Sequence, residues 1–102
     1  MPEKEWVIHL DDGFEIRIRR DMLRGRLLSF AVVLIRFDGQ TSECISRYDT
    51  AHGFAHKDIL GKKSGLFRKA SYATFVFDEI FDHALRDFKK GYREEALFYD
   101  TH

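Results

Sequence analysis

From Leu27 to Phe37 the chain is almost unbroken apolar sequence, with Leu27, Leu28, Phe30, Ala31, Val32, Val33, Leu34 and Ile35, and Asp38-Gly39-Gln40 comes at once after it. The β-branched content and the turn residues favour a strand over a buried helix. A strand with water on one side shows polar residues at alternate positions, so apolar side chains on both faces predict a central strand covered twice. Neighbouring segments must then pair with it, and both of its faces need cover.

The flanking sequence supplies pairing partners. Trp6-Val7-Ile8-His9-Leu10 alternates, with Trp6, Ile8 and Leu10 on one side and His9 outward with Val7, and Asp11-Asp12-Gly13 has the chemistry of a tight turn. Phe14 to Arg19 alternates more strictly, placing Phe14, Ile16 and Ile18 inward and Glu15, Arg17 and Arg19 outward. Beyond the central strand, Ser42 to Tyr48 returns with Cys44 and Ile45 on opposite faces. Gly53, Gly61 and Gly65 punctuate the next stretch, which reads as a long basic loop holding Ile59 and Leu60 against the body, and Leu66 to Phe77 reads as a short strand or an extended lead into a helix.

Asp78 reads as an N-cap with Glu79 in the first turn, and Phe77, Ile80, Phe81, Ala84, Leu85 and Phe88 recur at helical spacing. Lys89-Lys90-Gly91 looks like the helix end; the alternative carries the helix on through Glu95, Ala96 and Leu97, at a cost of about 1 kcal/mol for the glycine. The expected fold class is α+β: residues 1–102 as a single domain, a twisted antiparallel meander of four to five strands with the C-terminal amphipathic helix packed on one face. One helix leaves the second face of Leu27 to Phe37 to the loop of residues 54–66, to a second copy in a homodimer, or to another protein.

Composition bounds the function. A 44% apolar chain with ten phenylalanines and one proline is neither disordered nor low-complexity. Cys44 is the only cysteine, and Met1-Pro2-Glu3-Lys4 leads into no apolar signal, so a reducing cytoplasm is expected. No apolar run nears the roughly 20 residues that cross a bilayer, so no membrane partner is expected. Seventeen basic and seventeen acidic residues cancel, and any attraction for nucleic acid has to come from placement.

Chemistry concentrates in Arg47-Tyr48-Asp49-Thr50-Ala51-His52-Gly53-Phe54-Ala55-His56-Lys57-Asp58. His52 and His56, four apart, would share a helical face with Asp49 or Asp58 as a metal site, but Gly53 argues against helix, and neither a metal nor a cofactor is assigned. As an acid–base centre, His52 and His56 would serve as base and acid for cleavage of RNA by its own 2′-hydroxyl. Asp49 or Asp58 would orient an imidazole, and Arg47, Lys57 and Tyr48 would sit by the phosphate, with Arg17 and Arg19 extending that surface. As scaffolding, Asp49 and Thr50 would cap a turn, Gly53 would take a positive φ, and the histidines would hydrogen-bond to loop carbonyls.

A strand ending in Tyr48-Asp49, a loop bearing His56 and Asp58, and a closing amphipathic helix together resemble the small TumE-type toxins of bacterial and archaeal toxin–antitoxin modules. That resemblance spans Trp6 to Phe88 and implies a cytoplasmic toxin acting on RNA and neutralised by a separate antitoxin protein. The other expectation is a non-enzymatic dimeric or partner-binding module whose His/Asp loop is structural.

Overall fold

The structure is a computed structural model and describes residues 3–51, 53–73 and 76–102. Six strands, β1 (Glu3–His9), β2 (Phe14–Leu23), β3 (Arg26–Phe37), β4 (Ser42–Asp49), β5 (His56–Gly61) and β6 (Gly65–Ser71), precede one helix, α1 (Phe77–Thr101). They form an open sheet in the order β1-β2-β3-β4-β5-β6, every pair antiparallel, so the fold is an α+β meander of six strands where four to five are expected. The expected long loop is the β5–β6 hairpin, which widens the sheet instead of covering it. Thr74 and Phe75, part of the expected lead into the helix, lie outside the described residues.

The first hairpin obeys its turn chemistry. Asp12 and Gly13 take φ of 61° and 81°, the left-handed pair that a tight hairpin needs, and Leu10 N donates to Phe14 O at 2.9 Å. A Cβ on Gly13 would stand 2.5 Å from the Phe37 carbonyl oxygen, so only glycine lets the end of β3 come this close.

On the helix side of the sheet, Ile16, Ile18, Phe30, Val32, Leu34, Ile45 and Tyr48 are buried against Ile80, Phe81, Ala84, Phe88, Tyr92 and Ala96 of α1. Each large apolar side chain buried here contributes about 1.5–3 kcal/mol relative to leaving it in water. Tilted or edge-on ring pairs, Phe30–Phe81 at 5.4 Å, Phe14–Tyr92 at 5.0 Å and Tyr48–Phe88 at 5.2 Å, interlock the two layers.

Two helix boundaries differ from expectation. The N-cap is Val76, without a side-chain cap, and Asp78 lies inside the first turn, where its charge favours the helix N-terminus. At the other end α1 passes through Gly91, which leaves helical geometry (φ −113°, ψ 17°), and continues to Thr101 because Tyr92, Ala96 and Tyr99 keep feeding the apolar stripe. The last carbonyls, with no basic residue in the final turn, are taken up by the β5–β6 turn. Lys62 N donates to Tyr99 O at 2.9 Å, and Ser64 donates to His102 O through N at 3.1 Å and Oγ at 2.7 Å. Gly61 permits this contact, since a Cβ there would lie 2.8 Å from the His102 carbonyl carbon.

Among the described residues no layer lies over the second face of β3. Ala31 and Val33 are half-buried because their cross-strand neighbours, Arg19 with Asp49 and Arg17 with Arg47, flank them with long side chains.

Two substitutions test this packing. Phe88→Ala should cost about 3–5 kcal/mol in urea unfolding, the range for emptying a fully buried aromatic site. Gly91→Ala should gain about 0.4–1 kcal/mol, since its backbone angles suit alanine and its Cβ would find the nearest atoms 3.9 Å and 4.0 Å away. A loss at Gly91 would mean that seating the C-terminal turn requires a bend only glycine allows.

Candidate functional site

Strand register sorts the side chains into rows. The helix side carries Trp6, Ile18, Val32, Tyr48, Lys57 and Ala70 in one row, so the open face carries the two rows beside it. One runs Glu5, Arg19, Ala31, Asp49, His56, Ser71, and the other Val7, Arg17, Val33, Arg47, Asp58, Lys69. Six of the residues read from sequence as a site, Arg17, Arg19, Arg47, Asp49, His56 and Asp58, therefore share one surface. Tyr48 and Lys57 point the other way, beneath α1, because neighbours along a strand alternate. His52 lies outside the described residues.

At the centre His56 Nε2 stands 2.7 Å from Asp49 Oδ1 and 3.9 Å from Asp58 Oδ1. Its Nδ1 lies 3.4 Å from Phe54 O, and the Phe54 ring packs edge-on against the imidazole at 5.7 Å. The histidine is fully buried, so it does not open onto a solvent pocket as the acid–base expectation requires. Asp49 Oδ1 also accepts Ala51 N at 3.1 Å, Thr50 Oγ1 accepts Phe30 N at 3.0 Å, Gly53 N donates to Thr50 O at 3.1 Å, and Gly53 takes a φ of 84°. The loop thus directs much of its polar chemistry inward, with Thr50 bonded to the Phe30 backbone rather than capping its own turn.

Asp58 is the anchor of the second row. Arg47 Nε donates to its Oδ2 at 2.9 Å and Lys69 Nζ lies 3.1 Å from its Oδ1. Burial works against the Asp58 charge, but the hydrogen bonds from Arg47 and Lys69 outweigh it and hold the carboxyl below the usual carboxylate range. Asp49, His56 and Asp58 offer ligand atoms that all lie within 4.8 Å of one another, the one such set among the described residues. A divalent cation there would have to displace the Asp49–His56 contact and sit beside the two cations already neutralising Asp58, so the donor set suits an ion-paired cluster better than a metal.

Beneath the helix, Lys57 Nζ bridges Asp87 Oδ2 at 3.1 Å and Glu95 Oε1, and the Tyr48 hydroxyl donates to Asp87 Oδ2 at 2.6 Å. Burial alone would lower the Lys57 pKa, but the hydrogen bond to Glu95 and the charges of Glu95 and Asp87 raise it. Burial, then the bond to Asp87, pushes the Tyr48 phenol far above its ordinary value. Asp87, disfavoured by burial, is held below the carboxylate range by Tyr48 and Lys57. Asp87 and Glu95 were not legible as partners of Lys57; their signal is an eight-residue spacing on one helix face, which means little until β5 is recognised as a strand.

The class these features define is a small open-sheet α+β domain: one helix over one face, an ion-laced band across the other. The chain belongs to the family described as Domain of unknown function (DUF7718), whose model matches residues 1–101. No curated protein and no solved structure matches it.

Asp58 and Asp87, two of the depressed carboxylates, set an acid limit on stability. Each has a folded pKa below its unfolded value near 3.9, so its contribution is present above about pH 4 and is lost as pH falls through the folded value. Thermal melts from pH 7 to pH 2.5 should show a steeper loss below about pH 4 in the wild type than in Asp58→Asn/Asp87→Asn. At pH 7 Asp58→Asn alone should cost about 1.5–3 kcal/mol, the range for hydrogen bonds to charged groups. Parallel pH profiles in both proteins would show that neither carboxylate is held in the charged form by the fold.

Proposed function

We propose that the protein binds RNA across the open face of the sheet, and that it does so as a cytoplasmic toxin of the TumE-like kind, restrained by an antitoxin protein. One observation carries this reading: on β2 to β6 of this face the carboxylates lie low and the cations stand out, the exposed acids being Glu3 and Glu5 on the β1 edge. Side-chain exposure is 3% for Asp58, 19% for Asp49 and 18% for Glu15, against 52% for Arg17, 45% for Arg47 and 37% for Lys69. The formal charges cancel, yet the groups that a ligand meets first are guanidinium and ammonium heads. Arg17, Arg47 and Lys69 occupy one row on every second strand, about 10 Å apart at the usual strand spacing, with Arg19 alongside. Cations held by carboxylates beneath them lose less side-chain freedom on gripping a phosphate backbone.

The cleavage chemistry that the resemblance implies calls for an imidazole within reach of the ribose. His56 reaches it only when the Phe54 loop lifts its ring from Asp49, so binding is separable from cleavage. A second reading, a non-enzymatic dimeric or partner-binding module, is favoured by the loop itself, in which both His56 nitrogens face acceptors and Asp49 doubles as a turn cap.

Fluorescence anisotropy with a labelled single-stranded RNA, titrated at 50 and 200 mM salt, tests the first reading. Arg17→Ala/Arg47→Ala should weaken binding and reduce the salt slope by about 0.7 for each phosphate no longer neutralised. Unchanged affinity and slope would refute RNA binding at this face. On induced expression, wild type should arrest growth, and His52→Ala, His56→Ala and Arg17→Ala/Arg47→Ala should relieve the arrest; equal growth of all strains would favour the partner-binding module.

A further inference from the structure

β6 is an edge of the sheet, and α1 packs on β3, β4 and β5. Six of the seven residues of β6 are exposed, among them Leu66 at 53% and Phe67 at 48%. Tyr72 N donates to Ala55 O at 2.8 Å, which by antiparallel alternation turns the peptide groups of Ala70 and Arg68 toward β5 and those of Lys69 and Ser71 outward. Exposed apolar side chains beside an outward-facing row of peptide groups make a template for another strand.

Charge decides which strand. From Ile59 to Phe77 the chain has no acidic residue, and Lys62, Lys63, Arg68 and Lys69 line the hairpin. A second copy pairing edge to edge through β6 would set these cations against one another, whereas an acidic segment would be drawn to them. Beside the edge a cleft of about 670 Å³ opens between β5–β6 and α1, walled by Ile59, Phe67 and Phe98, with the Lys57–Asp87–Glu95 ion cluster at one side and Arg68, Lys90 and Glu94 at its rim. An apolar side chain from an added strand would fall over this aromatic wall.

We propose that the outer edge of β6 docks an extended, acidic segment of a partner protein, which joins the sheet as a seventh strand and places an apolar side chain in the cleft between Phe67 and Phe98. Main-chain hydrogen bonds supply the affinity of such an addition and the cleft and cations its selectivity. The surface meets the Arg17–Arg47 band only at Lys69, whose side chain faces Asp58 while its peptide group faces outward, and the variants that test the two proposals leave Lys69 in place, so the proposals fail independently.

The probe is a fluorescein-labelled decapeptide of alternating Glu and Val, with a Lys-Val decapeptide as control. The Glu-Val peptide should bind wild type, and amide exchange at Lys69 and Ser71 should slow on binding. Lys63→Glu/Arg68→Glu should weaken it by about tenfold or more, a loss of at least about 1.4 kcal/mol. Ser71→Pro, which deletes an outward N–H and leaves the β5 ladder intact, should do the same, with urea melts confirming that both variants are folded. Equal binding of the Lys-Val peptide, unchanged affinity in the charge-reversed variant, or binding without slowed exchange would each overturn the proposal. So would a single-stranded RNA that protects the same two amides where the Glu-Val peptide does not, or self-association of the wild type abolished by Ser71→Pro.

Discussion

A single helix can seal one face of a sheet and no more. α1 covers the face that carries Ile16, Ile18, Phe30, Val32, Leu34 and Tyr48, and the rest of the molecule answers to that asymmetry. Strand alternation carries the division along every strand, so a residue's parity decides whether it meets phenylalanine or water. On the uncovered side β3 still presents Ala31, Val33 and Ile35, an apolar strip one strand wide. The fold shields it with the stems of Arg17, Arg19 and Arg47, whose charged heads then need partners or solvent. Glu15, Asp49 and Asp58 supply partners at low exposure, which is why the open face is laced with ion pairs although it lacks a second layer.

The covered face takes in an ion cluster, Lys57 with Asp87, Glu95 and Tyr48. An ammonium between two carboxylates is fully satisfied at only one rotation and translation of the helix, since a shift of one residue would put Phe88 and Ala96, or Arg86 and Glu94, in place of Asp87 and Glu95. With Arg36 forked onto Asp100 at 2.7 and 2.9 Å, and the helix terminus bound to the β5–β6 turn, three separate polar contacts fix where α1 lies along the strands. Apolar contacts hold the helix to the sheet, while these contacts choose its register.

The first four strands are legible in sequence because β1, β2 and β4 keep an alternation that β3 abandons, and that contrast identifies the centre. The β5–β6 hairpin is not, for a physical reason: the register shifts between Ile59 and Leu60, so Ile59-Leu60 and Leu66-Phe67 read as irregular pairs without period two. Missing that strand hid the parity of the chemical window. Once residues 56–61 are a strand, Lys57 has to leave His56 and Asp58 and turn toward the helix, where Asp87 and Glu95 wait. The grouping of Arg17, Arg19, Arg47, Asp49 and Asp58 was recoverable because these residues sit on strands with clear alternation or are placed directly by pairing with them. Gly91 misled because glycine is the usual sign of a helix end, while the four-residue recurrence of Phe88, Tyr92 and Ala96 was the stronger signal.

Asp49 joins the loop to the open face: one oxygen accepts both the Ala51 amide and the His56 ring. Moving that carboxylate to serve a ligand would break the turn and release a buried imidazole at once, a cost of several hydrogen bonds for one new contact. A ligand on this face therefore engages groups whose bonds survive the encounter, the outward guanidinium and ammonium heads of Arg17, Arg47 and Lys69. The acids beneath them hold those heads in place, so the carboxylates that cancel the formal charge also arrange the donors on which any polyanion would land.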